Sequence, residues 1–271
     1  MTTQTSSDGA PGTAPAELAE ARRLLAELVR GSRRVVALTG AGVSVPSGIP
    51  DFRSPDGLWS QVDPETHAHL DVWREEPERF WRFYRERLDL SGVEPNDGHR
   101  ALAQLEEGGR LDAIITQNID GLHQAAGSRE VVEVHGSVRT ASCSGCRARY
   151  ERERVQRLLG VDGVPYCPSC MGDGLYGQFR PLKPDVVLFG EALPADALAR
   201  AYQLVYDCDL LICAGSSLTV EPVADLAPFA QEHGARLAIV SRWSALDERA
   251  DVVLRGEIDA ELTELAAALA G

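Results

Sequence analysis

Seven apolar runs of strand length, at 34–38, 113–116, 131–134, 186–189, 210–214, 237–240 and 252–254, limit what this chain can fold into. Several are continuous rather than alternating, the pattern of strands covered on both faces. Helical periodicity fills the gaps between them. Residues 16–30 line Leu18, Ala21, Leu25 and Val29 along one face behind Pro15, a residue suited to a helix start. Further helical stretches fall at about 97–107, 195–205, 222–233 and 259–269. Strands separated by helices predict an α/β fold with a parallel sheet and right-handed crossovers. Two segments, about 54–96 and 137–184, break this rhythm and read as insertions projecting from the sheet.

Composition narrows the function classes. No apolar run approaches the ~20 residues of a membrane span, which argues against an integral membrane protein. The chain has 27 Lys and Arg against 41 Asp and Glu, a formal net charge of −14. Such a field repels phosphate backbones and disfavours nucleic acid as a partner. Residues 1–14, MTTQTSSDGAPGTA, read as a disordered tail without a secretory signal, so a cytoplasmic protein is expected. Lys183 is the one lysine, and the arginine bias reads as that of a GC-rich bacterial genome.

Four of the six cysteines form two pairs, Cys143-x₂-Cys146 and Cys167-x₂-Cys170, with twenty residues between them. Each knuckle presents two thiolates from one tight turn, and two knuckles complete a tetrahedral Cys₄ zinc site. With four protein ligands no position stays open for water, so one structural zinc ion is expected. A redox pair is the rival reading, as is a nucleic-acid-binding ribbon beside Arg147, Arg149, Arg152 and Arg154. Cys208 and Cys213 lie at or in an apolar run and read as packing residues.

The first apolar run ends in Thr39-Gly40-Ala41-Gly42-Val43-Ser44. Glycines after a strand permit a tight turn and close approach to a pyrophosphate, although the dinucleotide fingerprint wants Gly or Ala where Val45 stands. By itself the pattern fits a structural turn as well as a phosphate loop. The longer stretch GAGVSVPSGIPDFRSPDGLW (40–59) resembles the cofactor loop of the sirtuins, the NAD-dependent protein-lysine deacylases. TQNIDGLHQAAG (116–127), HGS (135–137), FGE (189–191) and GSSL (215–218) match the same family in the same order.

This resemblance, over roughly residues 20–270, implies a Rossmann-like parallel sheet domain with an inserted small zinc-ribbon module and a helical module. The implied catalytic domain spans 15–271, with its core at about 15–53, 97–136 and 185–271, a helical and cofactor-loop insertion at about 54–96, and a zinc module at about 137–184. NAD and an extended acyl-lysine peptide would meet in the cleft between them. In this family the acyl oxygen attacks the nicotinamide ribose, nicotinamide leaves, and the acyl group ends on ADP-ribose. His135 matches the family's general base, a task that suits an imidazole titrating near working pH. Asn118 is the second residue assigned to catalysis, and with Asp120 it falls in the implied nicotinamide pocket. Gly40, Ala41, Gly42, Ser44, Asp51, Phe52, Arg53, Trp59, Gln117, Ile119, Gly215, Ser216, Ser217, Ser241 and Ile258 complete the implied cofactor contacts. Phe52 would shield the ribose, Arg53 would meet a phosphate, and the loop at 50–62 would close over bound cofactor. Ser241 stands where the family carries Asn, which shortens one contact to the adenine ribose. The remaining histidines, His67, His69, His99, His123 and His233, read as structural.

The substrate peptide would add as a strand beside 186–191, touching Val187, Phe189, Gly190 and Glu191, and near Thr219–Glu221. In the stretch PERFWRFYRERLDL (77–90), helical projection puts Phe80, Phe83, Tyr84 and Leu88 on one face, with Arg87 inside that stripe. An inward arginine wants an anionic partner. Tyr84-x-x-Arg87 resembles the motif by which one sirtuin class reads the carboxylate of succinyl- or malonyl-lysine, whereas PDFRSPDGLW looks more like the deacetylase branches. The expectation is a deacylase acting on succinyl or malonyl and/or acetyl groups; the alternatives are mainly a deacetylase, or a mono-ADP-ribosyltransferase using the same NAD site. The oligomeric state is not legible.

Overall fold

The computed structural model describes residues 14–51, 57, 60, 62–88, 90, 92–171 and 179–270. Among these residues the strands are β1 (Val35–Thr39), β2 (Ala113–Thr116), β3 (Val131–Glu133), β4 (Gly136–Cys143), β5 (Arg149–Glu151), β6 (Leu182–Val186), β7 (Leu210–Ala214), β8 (Arg236–Val240) and β9 (Val252–Leu254). Six of them form one parallel sheet in the order β3-β2-β1-β7-β8-β9. Every residue of β1, β2 and β7 is buried, which is why these runs read as unbroken apolar stretches.

Side-chain alternation divides that burial between two cores. Val35 and Ala37 of β1, with Leu210 and Ile212 of β7, face the helices Pro15–Gly31, Asp97–Glu107 and Ile258–Leu269. Val36, Leu38, Leu211 and Cys213 face the helices Ala195–Asp207 and Leu226–Glu232. The sheet is thus the middle layer of a three-layer α/β sandwich. The helix expected at 222–233 opens as a 3₁₀ turn, Val223–Asp225, and becomes α-helical at Leu226.

The run at 186–189 departs from expectation. It is not a strand of the parallel sheet: Val186 ends β6 and pairs with Gly136 of β4 in a separate antiparallel sheet, ordered β5-β4-β6. An apolar run carries no information about which sheet receives it. The helices Leu70–Glu75 and Pro77–Arg87 pack on this small sheet. Trp73, Phe80 and Trp81 join Val138, Ala141, Leu182 and Val186 in a third core. The indole N–H groups of Trp73 and Trp81 both donate to the Leu182 carbonyl, at 3.0 and 3.1 Å, so the two buried donors are satisfied by one strand. No described helix is long and apolar enough to cross a membrane.

Candidate active site

The carboxyl ends of β1, β2, β3, β7 and β8 open onto one side of the sheet, where α/β folds bind ligands. The chain leaves β1 through Gly40 into the 3₁₀ segment Ala41–Ser47, and leaves β7 through Gly215. These two turns interlock. The Gly42 N–H donates to the Gly215 carbonyl at 2.9 Å, and a Cβ on Gly42 would stand 2.7 Å from the Gly215 Cα. Gly215 itself adopts φ +62°, a region costly for other residues.

Against these turns lies a closed hydrogen-bond network. Ser44 donates its hydroxyl to Asp120 Oδ2 at 2.7 Å and accepts from Asn118 Nδ2 at 3.0 Å. Asn118 Nδ2 also donates to the Gly40 carbonyl at 3.1 Å, and the other oxygen of Asp120, Oδ1, accepts from the Leu122 N–H at 2.9 Å. Gln117 bridges the strand ends: its Nε2 donates to Ser216 Oγ at 2.8 Å, and its carbonyl accepts from His135 Nδ1 at 2.9 Å. A carbonyl can only accept, so Nδ1 carries the proton and the neutral ring keeps its lone pair on Nε2. Burial holds the pKa of His135 below the ordinary imidazole value, and the Gln117 bond opposes that shift.

Two histidines read as structural in the sequence lie beside this network. His99 is fully buried, and its Nδ1 accepts from the Asn96 N–H at 3.4 Å, so its Nε2–H points to Ser44 Oγ, also at 3.4 Å. His123 bonds Thr39 Oγ1 at 2.9 Å and meets the His99 ring edge-on at 4.9 Å between centroids. Burial, the largest cause for both, depresses His99 to about 4 and His123 to about 3, so both rings are neutral at pH 7. The Ser44 hydroxyl is therefore saturated, with two donors on its oxygen and its own proton on Asp120. His99 also closes a reciprocal cap with Asn96 at the start of the Asp97–Glu107 helix.

Other expected contacts are placed more loosely. Ile119 offers its carbonyl to the Val138 N–H, tying β4 to the site. Ser217 pairs with Thr219 Oγ1 at 2.9 Å, and Ser241 spends its hydroxyl proton on the Trp243 carbonyl at 3.0 Å. Ile258 begins the final helix and packs against the first core. Ala41 lines the turn after β1, and Asp51 is half-buried at its far end. Phe52, Arg53 and Trp59, with most of the loop at 50–62, lie outside the described residues.

The substrate-side residues divide. The Phe189 N–H donates to the Ala68 carbonyl at 3.0 Å and its own carbonyl accepts from Leu70 at 2.9 Å, so Phe189 is already paired with the helical insertion. Val187 donates to the His135 carbonyl at 2.8 Å. Tyr84 is half-buried against Phe80 and Trp81, whereas Arg87 is exposed and has no side-chain partner among the described residues. This corrects the inward placement of Arg87. Helical projection gives angle but not height: Arg87 lies one turn beyond Phe83, where the helix ends, and the buried stripe is Phe80, Trp81 and Phe83. Trp81 is the core residue that the projection missed.

The four paired cysteines converge, with all Sγ atoms within 4.8 Å of one another. Cys143–Cys170 and Cys146–Cys167 approach to 3.6 Å, close to the ~3.8 Å that a tetrahedron of about 2.3 Å Zn–S bonds sets between sulfurs. The donor set fits one zinc ion with four protein ligands. Burial pushes the Cys208 thiol up to about 12 and Cys213 higher still, as expected of packing residues.

Residues 40–222 match the family model described as Sir2 family. The chain belongs to the Sir2 family. Among Sir2 relatives, an NAD-dependent protein deacetylase of Sulfolobus acidocaldarius is 41% identical over 250 residues, covering 92% of this chain and 95% of that protein. An NAD-dependent protein deacetylase of Chromobacterium violaceum is 45% identical over 221 residues, covering 80% of this chain and 85% of its own. A solved structure described as "Sir2-p53 peptide-NAD+" superposes with a TM-score of 0.78 at 38% identity, covering 90% of this chain and 95% of that one.

Proposed function

We propose that this Sir2 chain is an NAD-dependent protein-lysine deacylase in which His135 is the general base. The observation that carries this reading is the pinned imidazole. With Nδ1–H fixed on Gln117, only Nε2 can take a proton, at the strand ends where the Ser44–Asn118–Asp120 network is anchored. Bound there, NAD supplies a nicotinamide leaving group and a ribose that accepts the acyl group.

The chain's own residues then have separable tasks. His135 Nε2 accepts a ribose hydroxyl proton, and its lowered pKa keeps it unprotonated at neutral pH. Asp120, fixed by Ser44 and the Leu122 N–H, accepts from a carboxamide N–H₂, while Asn118 orients the pocket. Gly40, Ala41, Gly42, Gly215, Ser216 and Ser217 line the phosphate and ribose side, with Ser241 and Ile258 beyond. Cys143, Cys146, Cys167 and Cys170 hold one structural zinc, in a chain divided into sheet core, helical insertion and zinc module. The acyl-lysine peptide adds as a strand along 187–191, through Gly190 rather than the already paired Phe189.

Acetyl-lysine is the substrate by which the reading stands or falls. A second reading, removal of succinyl or malonyl groups, is favoured by the exposed guanidinium of Arg87, which has no side-chain partner among the described residues and lies one turn from Tyr84. The experiment incubates the enzyme with NAD and matched acetyl-lysine and succinyl-lysine peptides, following nicotinamide release and deacylated peptide by mass. Deacylated peptide equimolar with nicotinamide is expected. ADP-ribose retained on protein, with the peptide still acylated, would replace deacylation by ADP-ribosyl transfer.

A further inference from the structure

Arginine fills every other basic position of this chain, and Lys183 is its one lysine. It lies on β6, four-fifths buried, and its ammonium meets three acceptors: the Val186 carbonyl at 2.7 Å, the Pro184 carbonyl at 3.1 Å and Glu191 Oε2 at 2.8 Å. Three acceptors match the three N–H donors of an ammonium. The same Glu191 oxygen accepts from the Leu188 N–H at 2.9 Å. One cation therefore grips both ends of the segment that follows β6, at Val186 and at Glu191.

That segment is where the peptide is proposed to add. Val187 is tied to the His135 carbonyl, and Phe189 uses its N–H and its carbonyl on residues 68 and 70. The Glu191 N–H turns back to the Leu188 carbonyl at 3.0 Å. Among the described residues, the groups left without a protein partner are the Gly190 N–H and the carbonyls of Val187, Gly190 and Glu191. Their direction depends on the turn at 188–191, which Glu191 holds through the Leu188 N–H and carbonyl while bound to Lys183.

We propose that Lys183 is a positioning residue for the acyl-peptide: through Val186 and Glu191 its ammonium sets the edge of 187–191 that pairs with the peptide beside His135. Lys183 touches neither NAD nor the acyl group. Its effect is confined to peptide binding, and it rests on the reading of 187–191 as the peptide's partner.

The test uses the full-length, zinc-loaded protein and an acetyl-lysine peptide. In K183M the KM for peptide is expected to rise about tenfold or more, with the KM for NAD and kcat within about threefold of the parent. K183R, which restores the cation, recovers most of the loss. Glu191→Gln raises the peptide KM by a similar factor, and the double variant is no worse than either single one, as for a shared interaction. If K183M fails to fold by its melting curve, Glu191→Gln and K183R carry the test. A peptide KM unchanged in the folded variants, or one that rises together with the KM for NAD, overturns the proposal while deacylation by the parent stands. A parent that neither releases nicotinamide nor binds a fluorescent acetyl-lysine peptide overturns the deacylase reading, and this proposal with it.

Discussion

His135 and the pair His99–His123 show how identical side chains take different work from their surroundings. Each is neutral at pH 7 because burial disfavours the imidazolium. His99 uses both ring nitrogens and His123 leaves its Nδ1 buried without a partner, whereas His135 is half-buried at the strand ends with Nε2 open for chemistry. His135→Ala is expected to bind NAD with affinity within about threefold of the parent and to lose at least ~10²-fold in kcat, the usual scale for a lost general base. Isothermal titration and steady-state kinetics separate the two. The midpoint of the acid limb of kcat should fall below about pH 6.5, since a depressed pKa moves the loss of base toward acid.

For His99 and His123 the consequence is stability. Their folded pKa values, about 4 and about 3, lie below the unfolded value of about 6.5, so the unfolded state binds their protons first. The stability they supply is complete above about pH 6.5. It falls as pH drops through the window toward 4 and 3, by about 1.4 kcal/mol per pH unit for each histidine. Urea unfolding between pH 7 and 5 should show His123→Asn with a slope shallower by that amount. The sequence reads both as structural but not as partners, because the buried pair is assembled from residues 24 positions apart on separate helices.

At the scale of elements, the Pro77–Arg87 helix and the cysteine knuckles contrast. The helix was legible as amphipathic, but which residues it buries depended on the small sheet it meets, so Trp81 went inside and Arg87 outside. If Arg87 takes a substrate carboxylate, Arg87→Met should lower kcat/KM for a succinyl-lysine peptide tenfold or more and leave an acetyl-lysine peptide within about twofold. Equal losses on both would make Arg87 a general surface contact. The knuckles needed no such context. Their spacing pointed to a four-sulfur site, because each C-x₂-C turn gathers two thiolates locally and a tetrahedral ion calls for two such pairs, which the fold brings to 3.6 Å across the knuckles. Removing zinc with a chelator should abolish turnover and loosen the third core, read as increased emission change from Trp73 and Trp81, with recovery on adding zinc back.

Across the whole molecule, three cores divide the labour: two sandwich the parallel sheet, and the third joins the helical insertion to the cysteine-bearing sheet. Ile212 sits at the centre of β7 and is 1% exposed. Ile212→Ala should cost about 2–5 kcal/mol of stability through the cavity it leaves, lowering the melting temperature while bound zinc stays at one per chain. A variant that loses zinc in parallel would show the cores to be one cooperative unit.

The sequence by itself determined the α/β class, most helix and strand positions, the cysteine cluster and the family motifs around His135. These are local properties: apolar period, turn residues and short spacings act within one or two turns of chain. Tertiary structure decided the rest. It moved the run at 186–189 out of the parallel sheet, placed His99 and His123 behind Ser44, and turned Arg87 to solvent. It also set Lys183 against Glu191 to shape the segment between them. Each of these depends on where a side chain ends up along and around its neighbours, and no period in the chain encodes that distance.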